Sequence, residues 1–193
     1  MRVDGILLAA GAGTRMGRPK ALVVADDGTP WLHSALRSLQ DGGCHRVTVV
    51  LGAAAKEAGW LLAQTPSGRS RLVLADDWAE GMGASLRAGL ADADPDADAV
   101  VVTLVDLPDV TSEVVRRVVG AATGPRGLAR AAYDGEPGHP VLLGRDHWAG
   151  IRETAHGDKG AREYLAAREV TLVECGDLAT GRDVDTPGRN DAG

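Results

Sequence analysis

The sequence predicts an α/β protein built on a mainly parallel β-sheet. Short apolar runs, typical of strands that are buried on both faces, recur along the chain, and segments with helical periodicity separate them. Residues 3–8 and 99–104 are the clearest of these runs, and a glycine-rich loop follows the first one directly. Strands that alternate with helices form right-handed βαβ units, and such units build an open sheet whose strands run mainly in parallel.

The remaining elements follow in chain order from local signals. The first helix is expected just after Thr29, a good N-cap, with Pro30 at its first helical position and Gly42-Gly43 at its end. Further helices are expected at about residues 54–64, 83–90, 112–119, 146–153 and 161–168, and further strands at residues 47–51, 72–74, 128–133, 141–143 and 170–174. Of these strands, 128–133 and 141–143 are expected to pair as a small antiparallel insertion.

Composition restricts the classes of function. The length of 193 residues, with 44% apolar and 25% charged residues, suits a single domain over residues 1–187, followed by a frayed tail at 188–193. A net charge of −6 without a Lys/Arg cluster argues against nucleic acid as a partner. The apolar runs are too short to cross a membrane and the start does not resemble a signal peptide, so a soluble, cytoplasmic protein is expected. Cys44 and Cys175 lack metal-binding spacing and are expected to be buried free thiols.

The glycine-rich loop is the strongest functional signal. Residues 5–20 read G-I-L-L-A-A-G-A-G-T-R-M-G-R-P-K. Glycines allow the backbone to approach a ligand closely, and their N–H groups can converge on phosphate oxygens. Arg15 and Lys20 add the positive charge that consecutive phosphates require. The loop therefore predicts a site for a nucleoside triphosphate.

Two common phosphate-binding motifs do not fit this loop. The dinucleotide motif G-x-G-x-x-G opens directly into a helix, whereas here the third glycine, Gly17, comes one residue late and Pro19 opposes a helix. The Walker motif needs Gly-Lys-Ser/Thr, and Gly17 is followed by Arg18. The plain alternative is a glycine-rich turn with solvated charges. Arg15, Gly17, Pro19 and Lys20 in register argue against it.

Asp106 is expected to lie beside this loop. It follows the strand at 99–104, and the carboxyl ends of parallel strands meet at one edge of the sheet, where ligands bind. The alternative role for Asp106 is the N-cap of the next helix. Its position at the strand end and the intervening Leu107-Pro108 favour a metal ligand, while Asp109 is expected to be a turn residue.

The loop resembles the signature of nucleotidyltransferases that share a Rossmann-like α/β fold, and most of all the molybdenum cofactor cytidylyltransferase group. Further blocks in family order carry the resemblance: W-A-E-G-M-G-A-S-L-R-A-G-L at 78–90, D-L-P at 106–108, G-H-P-V-L at 138–142, G-D-K-G-A-R at 157–162 and D-V-D-T-P at 183–187. The resemblance implies a three-layer α/β/α domain that transfers CMP from CTP to molybdopterin, with Mg²⁺ as cofactor and pyrophosphate as the other product. It also implies transient contact with a molybdenum hydroxylase.

Alternatives remain open at this point. The related guanylyltransferases more often have glycine in place of Ala10, and this single position favours CTP over GTP. The blocks at 138–142 and 157–162 argue against a sugar-phosphate nucleotidyltransferase. A non-catalytic chaperone that carries cofactor to a molybdenum hydroxylase is the other alternative. Such a chaperone has no need of two metal ligands, so the presence of both argues against it.

The resemblance assigns roles to individual residues. Arg15, Lys20 and Asp106 are the candidate catalytic residues, and Asp106 and Asp185 are the candidate metal ligands, with Asp183 as a substitute and an Asx-turn as the other role for Asp185. The candidate nucleotide-binding residues are Leu8, Ala9, Ala10, Gly11, Gly13, Arg15, Lys20, Asp76, Gly81, Met82 and Ser85. The candidate acceptor-binding residues are His139, Pro140, Gly157 and Asp158.

Two of these assignments are less direct. The group commonly has Asn three residues before the tryptophan, where this chain has Ala75, so the base or ribose contact is moved to Asp76. His139 is either a structural residue at a strand edge or a ligand of the acceptor. Two acidic groups in an empty metal site repel each other, so Asp106→Asn is expected to leave thermal stability unchanged or to raise it.

Overall fold

The structure is a computed structural model that describes residues 1–64 and 68–184. Its strands are β1 (Val3–Ala9), β2 (Val47–Leu51), β3 (Ser70–Leu74), β4 (Ala99–Leu104), β5 (Leu128–Tyr133), β6 (Glu136–Gly144) and β7 (Thr171–Glu174). Its α-helices are α1 (Trp31–Asp41), α2 (Ala55–Ala63), α3 (Met82–Ala91), α4 (Ser112–Gly120), α5 (Trp148–Thr154) and α6 (Arg162–Ala166). The tail expected to fray, residues 188–193, lies outside the described residues.

The strands form one seven-stranded sheet in the order β3-β2-β1-β4-β6-β5-β7. Neighbouring strands run in parallel except at β6, which is antiparallel to both β4 and β5. The predicted fold class, a mainly parallel sheet with antiparallel pairing of 128–133 and 141–143, is confirmed. That pair is not an appendage, however, because β6 lies inside the sheet between β4 and β5.

Helices cover both faces of the sheet, which gives three layers. Alternate residues of β1 separate the two cores: Leu7 and Ala9 face α1 and α4, and Ile6 and Leu8 face α3 and α5. In the absence of phenylalanine these cores are mostly aliphatic. The side chains buried on the helices are Leu32, Leu36, Leu39, Val114, Val115 and Val118 on the first face, and Leu86, Leu90, Trp148 and Ile151 on the second.

The start of α1 differs by one residue from the prediction. Pro30 has extended backbone angles and occupies the N-cap itself, where no side chain caps the helix. The reason is a tertiary one: Val24 and Pro30 form an antiparallel bridge, and the Trp31 N–H donates to the Val23 carbonyl. The backbone carbonyl of Thr29 accepts a hydrogen bond from the Ala25 N–H. The end of the helix at Gly42-Gly43 is as predicted.

Both cysteines are buried free thiols, as predicted. Burial raises the pKa of the Cys44 thiol to about 12, so this group stays protonated. Within residues 1–64 and 68–184 no helix is both long and apolar enough to span a bilayer.

Candidate active site

A cleft of about 370 Å³ lies at the carboxyl ends of β1 and β4. The segments that line it come from distant parts of the chain: the loop at 8–15, Lys20, the start of α3 and residues 104–106. The sequence placed the loop and Asp106 at one edge of the sheet, and the geometry brings them together there. The predicted residues that line this cleft are Leu8, Ala9, Ala10, Gly11, Gly13, Arg15, Lys20, Gly81, Met82, Ser85, Asp106 and Asp158.

The loop after β1 depends on glycine at a defined position. Gly13 has φ +60°, and a Cβ placed on it would overlap the Arg18 carbonyl group. By contrast, a Cβ on Gly11 would meet no atom within 4 Å. The chain therefore turns back closely on itself at Gly13, and this close turn is only available to a residue without a side chain.

Lys20 and Asp106 form the charged centre of the cleft. The Lys20 Nζ lies 2.5 Å from the Asp106 Oδ2, and the two side chains are only 17% and 12% exposed. The N-cap of α4 is Thr111, so Asp106 does not cap that helix. The alternative reading of Asp106 is thus removed, and its carboxylate faces the cleft.

The segment after β7 returns to the backbone of Asp106. The Val184 N–H donates to the Asp106 carbonyl oxygen, while Asp183 is exposed. Asp185, the predicted second metal ligand, lies outside the described residues. Asp109 accepts from both the N–H and the hydroxyl of Thr180, each at 2.6 Å, which agrees with a structural role in a turn.

The metal-binding capacity of the described part of the chain is limited. No group of three or more His, Cys, Asp or Glu side chains is clustered within residues 1–64 and 68–184. Asp106 offers one hard carboxylate at the edge of a nucleotide-sized cleft. Mg²⁺ commonly takes one or two carboxylates and completes its octahedron with phosphate oxygens and water. The residues present therefore fit a metal that binds together with a nucleotide.

The N-terminus of α3 forms the opposite wall of the cleft. Gly81 precedes the helix with φ +115°, and Met82 and the buried Ser85 lie on its first turn. The free N–H groups of such a turn and the helix dipole favour an anion. A Cβ on Gly83 would strike the backbone at Ala155, which shows how closely the turn that carries Asp158 approaches the helix.

A smaller cavity of about 80 Å³ adjoins the cleft and shares Leu8, Met82 and Asp158 with it. His139 lies in its wall beside two arginines, Arg130 and Arg162. Burial, and then the positive charges of these arginines, lower the pKa of His139 to about 4. The imidazole is therefore neutral near pH 7 and is able to donate one hydrogen bond and accept another.

Backbone contacts hold this wall in place. The Tyr133 hydroxyl donates to the His139 carbonyl at 2.6 Å. The Arg130 Nε and Nη2 both donate to the Gly138 carbonyl, at 3.2 and 3.1 Å. The peptide bond between His139 and Pro140 is cis. The His139 ring thus lies in the cavity wall, on a segment of β6 that side chains of β5 hold in place.

Three predicted site residues do not line either cavity. Asp76 is exposed, Pro140 is buried, and Gly157 is an exposed part of the turn before α6. Their contacts with ligand stay predictions. Sequence reasoning also gave no role to Arg130 or Arg162. A charged residue inside the apolar strand at 128–133 was the available signal for Arg130.

Comparison with known proteins agrees with this geometry. Residues 5–172 match the MobA-like NTP transferase domain family. Nicotine blue oxidoreductase of Paenarthrobacter nicotinovorans is 37% identical, over 95% of this chain and 92% of the relative. Molybdenum cofactor guanylyltransferase of Rhodobacter capsulatus is 35% identical, over 77% of this chain and 66% of the relative. Molybdenum cofactor cytidylyltransferase of Escherichia coli strain K12 is 26% identical, over 74% of this chain and 70% of the relative.

Solved structures show the same architecture. A homologue of Mycobacterium tuberculosis Rv0371c from Mycobacterium sp. strain JC1 has a TM-score of 0.78 at 29% identity, with 96% of this chain and 92% of that one covered. Rv0371c itself, in a complex with manganese, has a TM-score of 0.75 at 26% identity, with 95% and 94% covered. The family match spans most of the sheet and both walls of the cleft. The chain therefore belongs to the MobA-like NTP transferase domain family and is a nucleotidyltransferase of this type.

Proposed function

We propose that the chain is a Mg²⁺-dependent cytidylyltransferase that transfers CMP from CTP to the phosphate of molybdopterin or of its molybdenum-loaded form. One observation carries the proposal: a glycine-loop cleft with Arg15, Lys20 and Asp106 opens into a second cavity walled by His139. Two adjoining cavities suit two substrates that must meet at one reacting atom. The nucleotide occupies the cleft, and the acceptor enters from the side cavity.

The reaction exchanges one phosphorus–oxygen bond for another. An oxygen of the acceptor phosphate bonds to the α-phosphorus, the bond from that phosphorus to the bridging oxygen breaks, and pyrophosphate leaves with the electron pair. The acceptor phosphate is already ionised, so no general base is needed, and a neutral His139 is consistent with that. Arg15, Lys20 and the N–H groups of the loop hold the leaving phosphates and stabilise their charge.

Asp106 is the proposed metal ligand, with Asp185 as the second and Asp183 as its substitute. The contact between Val184 and the backbone of Asp106 supports a ligand from this part of the chain. Bound Mg²⁺ supplies a Lewis acid for the α-phosphoryl oxygens. The manganese complex of the Mycobacterium tuberculosis relative supports a divalent ion in this family.

CTP is the proposed nucleotide because Ala10 is buried and lines the cleft. A methyl group there leaves less room than glycine and favours a pyrimidine over the larger purine. Relatives named as cytidylyltransferase and guanylyltransferase both match this chain, so GTP is the competing outcome. The acceptor follows from the same names, and a molybdenum hydroxylase is the proposed transient recipient of the product.

A second candidate function rests on one relative. Nicotine blue oxidoreductase covers nearly the whole chain at 37% identity. An oxidoreductase with this cleft would use it for the phosphates of a dinucleotide cofactor and would place an oxidised heterocycle in the side cavity. This candidate predicts hydride transfer without pyrophosphate release.

One experiment separates these functions. Purified protein is incubated with MgCl₂, molybdopterin and CTP, GTP, ATP or UTP in turn, and released pyrophosphate and the dinucleotide product are measured. We expect both products with CTP, and neither with the Asp106→Asn variant. Turnover with GTP and not with CTP would assign GTP as the nucleotide in place of CTP. Binding of CTP without pyrophosphate would indicate a chaperone, and oxidation of NADH or NADPH by nicotine blue without transfer would establish the second candidate.

A further inference from the structure

The side cavity contains positive charge to which the sequence motifs assign no role. Arg130 on β5 and Arg162 at the start of α6 approach it from different elements, and Lys159 and Asp158 stand at its edge. Lys159 is already paired with Glu163, at 2.6 Å from Nζ to Oε1. The two guanidinium groups and the single carboxylate of Asp158 remain, so the net charge that faces the cavity is positive.

Arg130 is held in place before any ligand arrives. Two of its nitrogens donate to one carbonyl, that of Gly138, and the side chain is partly buried. Gly138 itself must be glycine, because a Cβ there would overlap the Tyr133 ring. Burial and the nearby charge of Arg162 lower the pKa of Arg130, because the two guanidinium groups repel each other.

The other polar groups at the cavity offset this charge only in part. His139 is neutral, and Asp158, which lines both cavities, supplies one carboxylate against two guanidinium groups; its Oδ1 lies where a Cβ on Gly81 would be. The remaining walls are apolar: Leu86, Val102, Val141, Leu143 and Leu165. Two guanidinium groups over apolar walls suit an oxyanion attached to an apolar or planar body, because a guanidinium binds phosphate oxygens in pairs.

We propose that Arg130 and Arg162 form an anion subsite that holds the phosphate of a phosphomonoester acceptor beside the nucleotide cleft. The subsite rests on the proposed function for the word acceptor, but its binding of phosphate does not depend on turnover. A neutral His139 donates a further hydrogen bond to the same anion. The subsite orients the attacking phosphate toward the shared boundary of the two cavities at Leu8 and Met82.

The test uses inorganic phosphate as the probe and the His139 ring as a local reporter, without nucleotide or metal. Imidazole signals of His139 are followed by NMR during a phosphate titration at constant pH and ionic strength. We expect saturable shifts in the wild type and at least about tenfold weaker binding in Arg130→Gln and in Arg162→Gln, since each removes charge-assisted hydrogen bonds. Arg152→Gln, an exposed arginine that does not line the cavity, is the matched control and should bind as the wild type.

Two further arms decide between acceptor and nucleotide as the source of the phosphate. Arg15→Gln should leave the His139 shifts unchanged, because Arg15 lines only the nucleotide cleft. If Arg15→Gln abolished the shifts while Arg162→Gln did not, phosphate would be in the cleft and the subsite would be refuted. Arg162 is exposed, so its variant tests the proposal even if Arg130→Gln fails to fold. Phosphate binding at His139 without transfer of any nucleotide would leave the subsite intact and overturn the proposed function alone.

Discussion

The ion pair between Lys20 and Asp106 allows a sharp test of the site, since one substitution affects both stability and activity. Asp106→Asn keeps the shape of the side chain and removes its charge. Sequence reasoning considered only repulsion between acidic groups, and so expected stability to hold or rise. The structure reverses that expectation, because the carboxylate has a cationic partner at 2.5 Å.

The magnitude follows from the burial of the pair. Exposed ion pairs contribute about 0.2–1 kcal/mol, and breaking a fully buried pair costs about 3–5 kcal/mol. Side chains that are 17% and 12% exposed lie between these limits, and a coupling of about 1–3 kcal/mol is expected. For a chain of this length each kcal/mol corresponds to about 2–4 °C in Tm.

The assay is a double-mutant cycle of Lys20→Met, Asp106→Asn and the double variant, measured by denaturant unfolding without nucleotide. We expect Asp106→Asn to be destabilised and the double variant to recover part of the loss. In the same preparations pyrophosphate release should fall at least about a hundredfold in Asp106→Asn, the scale of losing one preorganised electrostatic contact. A coupling below about 0.5 kcal/mol together with normal turnover would refute both the pair and the catalytic role of Asp106.

Three further predictions follow from the loop and the side cavity. Arg15→Ala should lower kcat/KM for the nucleotide by about ten- to a hundredfold without a change in unfolding, since it removes a charge-assisted phosphate contact; kinetics like those of the wild type would exclude that contact. Gly13→Ala should destabilise the protein by about 1–3 kcal/mol and weaken nucleotide binding, because φ is positive and the Arg18 carbonyl is in the way, whereas Gly11→Ala should leave the unfolding free energy unchanged; equal effects would show that the turn at Gly13 is not strained by a side chain. The pKa of His139 is about 4 in the folded protein and near 6.5 when unfolded, so its contribution to stability is complete above pH 6.5 and is lost as the pH falls towards 4. His139→Gln should remove this pH dependence of the unfolding free energy, which amounts to at most about 3 kcal/mol. Denaturant unfolding of both proteins at pH 4.5 and 7 measures it, and the same change in unfolding free energy between the two pH values in wild type and variant would contradict a neutral ring in the cavity wall.

The sequence predicts where individual strands and helices lie better than it predicts which of them pair. The apolar runs at β1 and β4 and the loop between β1 and α1 are visible because periodicity and glycine content are local properties. The position of β6 inside the sheet is not, because pairing between β4 and β6 joins segments far apart in sequence. The start of α1 is displaced for the same reason, by the bridge from Val24 to Pro30.

The same distinction between local and long-range information applies to the residues of the site. Arg15, Lys20 and Asp106 follow from a loop, a strand end and the rule that ligands bind at the carboxyl edge of the sheet. Arg130 and His139 form a cavity only because β5 and β6 pair, and because α6 approaches from the other layer. Their function depends on contacts that no spacing of residues reveals, which is why the sequence yielded His139 only by resemblance and Arg130 not at all.

The two cavities also explain how relatives with different names can share one fold. Under the proposed function, the cleft at Arg15 and Lys20 binds phosphates, which are common to every nucleotide. The side cavity at Arg130 and His139 then binds the compound with which the nucleotide reacts, and differences in activity are expected to arise there or between the two cavities. In this chain two contacts reach residues of the two cavities: the Val184 N–H donates to the backbone of Asp106 in the cleft, and the Tyr133 hydroxyl donates to the backbone of His139 in the side cavity. Between these contacts Gly181 lies so close to the Tyr133 ring that a Cβ would overlap it. The segment after β7 therefore contacts both the backbone of Asp106 and the tyrosine that holds His139, and a change of acceptor is expected to require changes in this segment as well as in the side cavity.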